Sequence, residues 1–87
     1  MQREGNLLKM QGELDMDNAS EFKRVCKEIL AEHPKVALNL EQVRFVDSTG
    51  LCAIAEMLKK QTVELHGMPL RFQRLLKTTG LWKLLPH

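Results

Sequence analysis

Apolar residues return along this chain in two rhythms, and each rhythm predicts a different element. Leu7, Leu8 and Met10, ahead of Gly12, have the character of a short strand, and Gly-Glu-Leu-Asp at residues 12–15 follows as a bend or a second short strand. Ala19, Phe22, Val25, Cys26, Ile29 and Leu30 then recur every three or four residues, the period of one helix face, and Pro34 closes that stretch. Asn18, with Glu21 three residues later, has the form of a capping box and marks the expected helix start. Residues 36–40, Val-Ala-Leu-Asn-Leu, are a nearly continuous apolar run without helical period, as expected of a central strand buried on both faces. Residues 41–46 read as a connection in which Val43, Phe45 and Val46 are available to pack. Leu51, Ile54, Ala55, Leu58, Thr62 and Leu65 restore the helical spacing and predict a second helix over residues 48–65. His66-Gly67 reads as a turn, and residues 68–73 as a short strand placed at an edge by Pro69, which cannot donate to a ladder. Residues 74–85 read as a short helix, a break at Gly80 and a terminal segment in which Trp82 and its leucine neighbours complete the core.

Strands alternating with helices imply an α/β domain with a small, mostly parallel four-stranded sheet covered by helices, because parallel neighbours need helical crossovers. With 87 residues, the chain is expected to form one domain over residues 1–87. A hydrophobic fraction of 44% with 28% charged residues is globular and argues against disorder or a disulfide scaffold. The net charge is +2, and basic residues stand among acidic ones, Lys23-Arg24 beside Glu21 and Lys59-Lys60 after Glu56. Nucleic acid is therefore not an expected partner. Cys26 and Cys52 both fall in helical patterns and read as buried thiols of a reducing cytosol. His33, His66, His87 and the cysteines lack metal-ligand spacing, so no metal or other cofactor is expected. No segment has the length of a signal peptide core or a membrane span, which leaves a cytoplasmic protein as the expectation.

The residues that carry chemistry are Asp47-Ser48-Thr49-Gly50, at the predicted start of the second helix. One reading of Ser48 is structural, a hydroxyl capping the helix for about 1 kcal/mol. The other is functional, a hydroxyl that accepts a phosphate where free amides and the helix dipole favour negative charge. Phosphorylation would add a charge of about −1.5 to −2 next to Asp47 and repel a partner that needs this surface neutral. Gly50, without a side chain, would let another protein's backbone approach. A hydrolytic triad of Ser48, Asp47 and His66 is disfavoured: Asp47 adjoins Ser48 in sequence, the predicted helix would hold His66 about 27 Å away, and there is no Gly-x-Ser-x-Gly elbow. An enzyme is therefore not expected.

Four motifs occur in order: Gly-Glu-Leu-Asp at 12–15, a strand ending Leu-Asn-Leu at 38–40, Val-Arg-Phe-Val-Asp-Ser-Thr-Gly-Leu at 43–51, and Arg-Leu-Leu-Lys-Thr-Thr-Gly-Leu-Trp-Lys-Leu-Leu at 74–85. Together they resemble a STAS domain of the anti-sigma-factor antagonist type. The resemblance implies a partner-switching cycle. Unphosphorylated antagonist binds an anti-sigma factor that is also a serine kinase, phosphorylation at the position of Ser48 releases it, and a phosphatase resets it. ATP and magnesium would belong to the kinase. The resemblance further implies a partner surface made of Asp15, Asp47, Ser48, Thr49, Gly50 and Leu51, with Asp15 equally readable as a turn-forming aspartate. One departure stands out: relatives carry a few more residues between the last strand and the final helix, whereas Phe72-Gln73-Arg74-Leu75 passes almost directly, which should compress the last crossover. A second STAS role also fits, a subunit that binds and regulates the ATPase of an ABC-type lipid transporter. Threonine is expected after the aspartate in such subunits, so Ser48 and Gly80-Leu81-Trp82-Lys83 favour the antagonist.

Overall fold

The structure, a computed structural model, describes residues 1–84. Its elements are strands β1 (Gln2–Glu4), β2 (Leu7–Leu14), β3 (Val36–Val46) and β4 (Val63–His66), helices α1 (Ala19–Leu30), α2 (Ser48–Lys59) and α3 (Leu70–Thr79), and a 3-10 turn at Leu81–Leu84. They form a four-stranded sheet in the order β1-β2-β3-β4, with β1 antiparallel to β2 and the other two pairings parallel. The α/β class and the mostly parallel sheet are as the alternation of patterns implied. Each parallel pair is joined through a helix, α1 between β2 and β3 and α2 between β3 and β4.

Among the described residues, only one face of this sheet is buried. Along β3, Val36, Leu38 and Leu40 are buried while Ala37 and Asn39 are half-exposed; Leu8, Met10 and Leu14 of β2 face the same way. The expectation of a strand buried on both faces is therefore corrected. The apolar run looks continuous because Ala37 occupies an outward position. Phe22, Cys26 and Ile29 of α1, Ala53, Ile54, Met57 and Leu58 of α2, and Phe72 and Leu76 of α3 close the core over the buried face. Phe45, expected to pack, lies on the other face opposite Glu13 and is 55% exposed.

The sequence reading missed β1, whose Gln-Arg-Glu is polar because an edge strand with no buried side needs no apolar residue. The available signal was Gly5-Asn6: Gly5, at a φ of 60°, opens a two-residue hairpin turn that pairs Glu4 with Leu7. Residues 12–14 continue β2 rather than bending away, and residues 41–46, read as a connection, continue β3. β3 accommodates its extra length through two irregularities in the β2–β3 register.

The second helix stops at Lys59, six residues short of the expectation. Its end is a Schellman motif: the Thr62 N–H donates to Met57 C=O at 3.0 Å and the Gln61 N–H to Leu58 C=O at 3.1 Å, around a left-handed Gln61 with a φ of 58°. Thr62 and Leu65 had extended the helical spacing by coincidence. Leu65 belongs to β4, which occupies residues 63–66 rather than the expected 68–73. Pro69 is instead the N-cap of α3, accepting at its carbonyl from the Phe72 and Gln73 amides. The last connection is thus residues 67–69, and the final helix starts four residues earlier than Arg74. Gly80 ends α3 as expected, after which Leu81 and Trp82 pack half-buried on the core, with Lys77 Nζ 4.9 Å from the Trp82 ring centroid. Leu85 and His87 lie outside the described residues.

Of the two cysteines, only Cys26 is buried, and burial pushes its thiol up to about 12. Cys52 is exposed on α2, contrary to the expectation. No described helix is long and apolar enough to cross a membrane.

Candidate functional site

β2 and β3 run parallel and end side by side, with Leu14 opposite Val46. The Gly-Glu-Leu-Asp and Asp-Ser-Thr-Gly segments consequently meet at the carboxyl end of the sheet, the usual place for binding residues in open α/β folds. The link between them is made by Asp47. Its backbone N–H donates to Leu14 C=O at 3.1 Å, and its side-chain Oδ2 accepts from the Met16 N–H at 3.1 Å. Its other carboxylate oxygen, Oδ1, caps α2 by accepting from the Gly50 N–H at 2.8 Å, while its carbonyl accepts from Leu51. One aspartate therefore closes the start of α2 and holds the loop after β2 in place.

Asp47, not Ser48, is the N-cap of α2. Ser48 is the first helical residue, and Ser48 and Thr49 are both exposed. Their backbone N–H groups precede any intrahelical acceptor. The hydroxyl of Ser48 is thus free of the capping duty first assigned to it.

Gly50 is buried, and its role differs from the expected one. A Cβ there would lie 2.5 Å from the Leu14 carbonyl oxygen and 2.8 Å from the Leu14 side chain. The glycine admits this chain's own β2, not a partner's backbone. Leu51 is half-buried and packs on the core. The exposed part of the segment reduces to Ser48 and Thr49.

Asp15 is half-buried and organises the opposite loop. Its Oδ1 accepts from the Asp17 N–H at 3.0 Å, and its carbonyl accepts from the Asn18 and Ala19 amides. Asn18 makes no capping hydrogen bond from its side chain. Instead its Oδ1 accepts from the Asp15 N–H at 2.9 Å and its Nδ2 donates to Glu13 C=O at 2.7 Å, so the expected capping box is a brace for the loop. The loop carries a residue that the sequence reading passed over: Met16 is 72% exposed, its backbone fixed by Asp47. An apolar residue in the middle of an aspartate-rich turn was the signal.

His66 lies at the end of β4, opposite Asn39, with its Nε2 3.6 Å from a Glu64 carboxylate oxygen. Both Asp47 carboxylate oxygens are occupied by backbone amides. Asp47 and His66 of the triad reading are thus engaged with other groups.

A family model described as Mlab, STAS domain, matches residues 1–86. The chain belongs to the STAS domain family. Among solved structures, this STAS domain is similar to a sulfate transporter family protein from Wolinella succinogenes, with a TM-score of 0.73 and 22% identity over 92% of this chain and 70% of that one. That likeness concerns the fold, the four-stranded sheet and its helices. In this STAS domain the same fold sets an exposed serine and threonine beside an exposed methionine, on two loops clamped by Asp47.

Proposed function

We propose that this STAS domain is an anti-sigma-factor antagonist, a non-enzymatic regulator of transcription that works by switching partners in the bacterial cytoplasm. The observation that carries the reading is the exposed Ser48 at the first position of α2, relieved of capping by Asp47. A hydroxyl needed for the cap could not be modified without loosening the helix; this one can. Unphosphorylated, the surface of Ser48, Thr49 and Met16, supported from beneath by Asp15, Asp47, Gly50 and Leu51, binds an anti-sigma factor with serine kinase activity. The kinase brings ATP and magnesium, and its transfer to Ser48 places about −1.5 to −2 charge next to the Asp47 carboxylate. The free amides of the first turn favour the phosphate locally, while an apolar partner surface facing Met16 rejects it. A phosphatase restores the binding form.

The test is incubation with the cognate kinase and intact-mass analysis of the wild type and of Ser48→Ala. One added phosphate on the wild type and none on the variant is expected; modification at Thr49 would overturn the assignment. Ser48→Asp should weaken binding at least tenfold by calorimetry, about 1.4 kcal/mol, and equal affinity would end the switching model. Recovery of an ABC transporter ATPase in place of a kinase would transfer the same surface to the transporter-subunit reading.

A further inference from the structure

The second surface with the properties of a binding site lies where β4 stops. β4 pairs with β3 only over Val36–Asn39, so the distal half of β3 has β2 on one side and, among the described residues, no strand on the other. α3 stands off from this open edge and leaves a groove of about 180 Å³ lined by Val43, Arg44, Phe45, Val46, Arg71 and Phe72. One of the most exposed large apolar side chains of the described residues lines it, Phe45 at 55%. Phe45 does not belong to the Met16–Ser48 surface.

The charge of this groove is one-sided. Arg44 and Arg71 line it, and among the described residues no carboxylate does. Among the described residues, neither Arg44 nor Arg71 stands within ion-pair distance of a carboxylate. An unpaired strand edge takes an extended segment most readily, because the free backbone groups of the edge hydrogen-bond to it. An exposed aromatic side chain supplies an apolar contact, and guanidinium groups prefer carboxylates.

We propose that the groove between the distal half of β3 and α3 binds an extended segment of a partner protein in which acidic and apolar residues alternate. The segment runs alongside residues 43–46, its apolar side chains meet Phe45, and its carboxylates meet Arg44 and Arg71. This site is independent of Ser48 phosphorylation and of which partner reads Ser48.

The probe is a fluorescein-labelled heptapeptide alternating leucine with glutamate, titrated against the full chain, with a leucine-lysine peptide of the same length as control. The acidic peptide should bind in a salt-sensitive manner, and the basic one should not. Arg71→Glu and Phe45→Ser, both at exposed positions, should each weaken binding at least tenfold with the melting curve unchanged, while Lys23→Glu on α1 should leave it intact. Because a variant can lose structure, amide chemical shifts of the wild type are followed in the same titration; they should move at residues 43–46 and 70–75. No binding, equal binding of both peptides, or shifts confined to residues outside 43–46 and 70–75 would overturn the proposal. So would concentration-dependent dimerisation mapping to residues 43–46, which would make a second copy the occupant.

Discussion

The chemistry of the Asp47-Ser48-Thr49-Gly50 segment divides between neighbours in a way that substitution can separate. Asp47 accepts from Gly50 and Met16, so Asp47→Ala removes a helix cap and releases the loop after β2. A cost of about 1–2 kcal/mol follows from the cap alone. Ser48 is exposed and caps nothing, so Ser48→Ala should change stability by less than about 0.5 kcal/mol. Urea denaturation of both variants checks the pair; a destabilised Ser48→Ala would return the cap to the serine. Gly50→Ala is the third member of the series. Its new methyl would meet the Leu14 backbone at 2.5 Å, which side-chain rotation cannot relieve, so α2 must shift away from β2. Such overpacking costs about 1–3 kcal/mol, and the variant should melt well below the wild type. Substitutions that damage the junction and those that alter the partner surface therefore fall on different residues, although the four are consecutive. The sequence disclosed that these residues matter, since each motif is a local arrangement of residue types. It did not disclose what Asp47 bonds to, because its partner Met16 is 31 positions away and backbone amides leave no mark on composition.

At the scale of elements, the patterns were legible wherever burial imposed a period and misleading where a turn was unannounced. The apolar face of α1 and the glycine at the end of α3 followed from the sequence directly. The end of α2 did not, because its left-handed position is held by Gln61, where a glycine would have announced the stop. That one misreading moved the last strand by five residues and the final helix by four. The same residue supplies a stability test. Left-handed backbone costs an L-residue about 1–2 kcal/mol, which glycine avoids while losing some of the gain to its own chain entropy. Gln61→Gly should therefore stabilise the protein, by about 0.5–1 kcal/mol on those terms, seen as a higher denaturation midpoint with an unchanged slope. A destabilised Gln61→Gly would mean that the exposed glutamine side chain contributes more than its backbone costs. Polar β1 was legible only through its Gly5-Asn6 turn, since an edge strand with both faces exposed carries no burial signal.

For the molecule as a whole, the one-sided sheet puts every helix and the 3-10 turn on a single apolar cluster, with Leu81 and Trp82 packed against the same core as Ile54 and Leu76. A core of this size leaves no second unit that could melt separately, so unfolding should be all-or-none. Trp82 is the chain's single tryptophan, and it reports from the last described turn while far-ultraviolet circular dichroism reports from the helices. If the turn is integral to the core, the two signals should share one midpoint and slope in urea. If it is an appended flap, the fluorescence change should come first. Trp82→Ala sharpens the distinction. Loss of a half-buried indole, and of its contact with the Lys77 ammonium, should cost about 2 kcal/mol, below the 3–5 of a fully buried tryptophan. Removal of residues 81–87 should cost at least as much. Coincident transitions with a destabilised Trp82→Ala place the carboxyl-terminal segment in the core. An early fluorescence transition with an unchanged melting temperature after truncation would free Leu81 and Trp82 for a partner instead, and would reduce the cooperative unit to the sheet and its three helices.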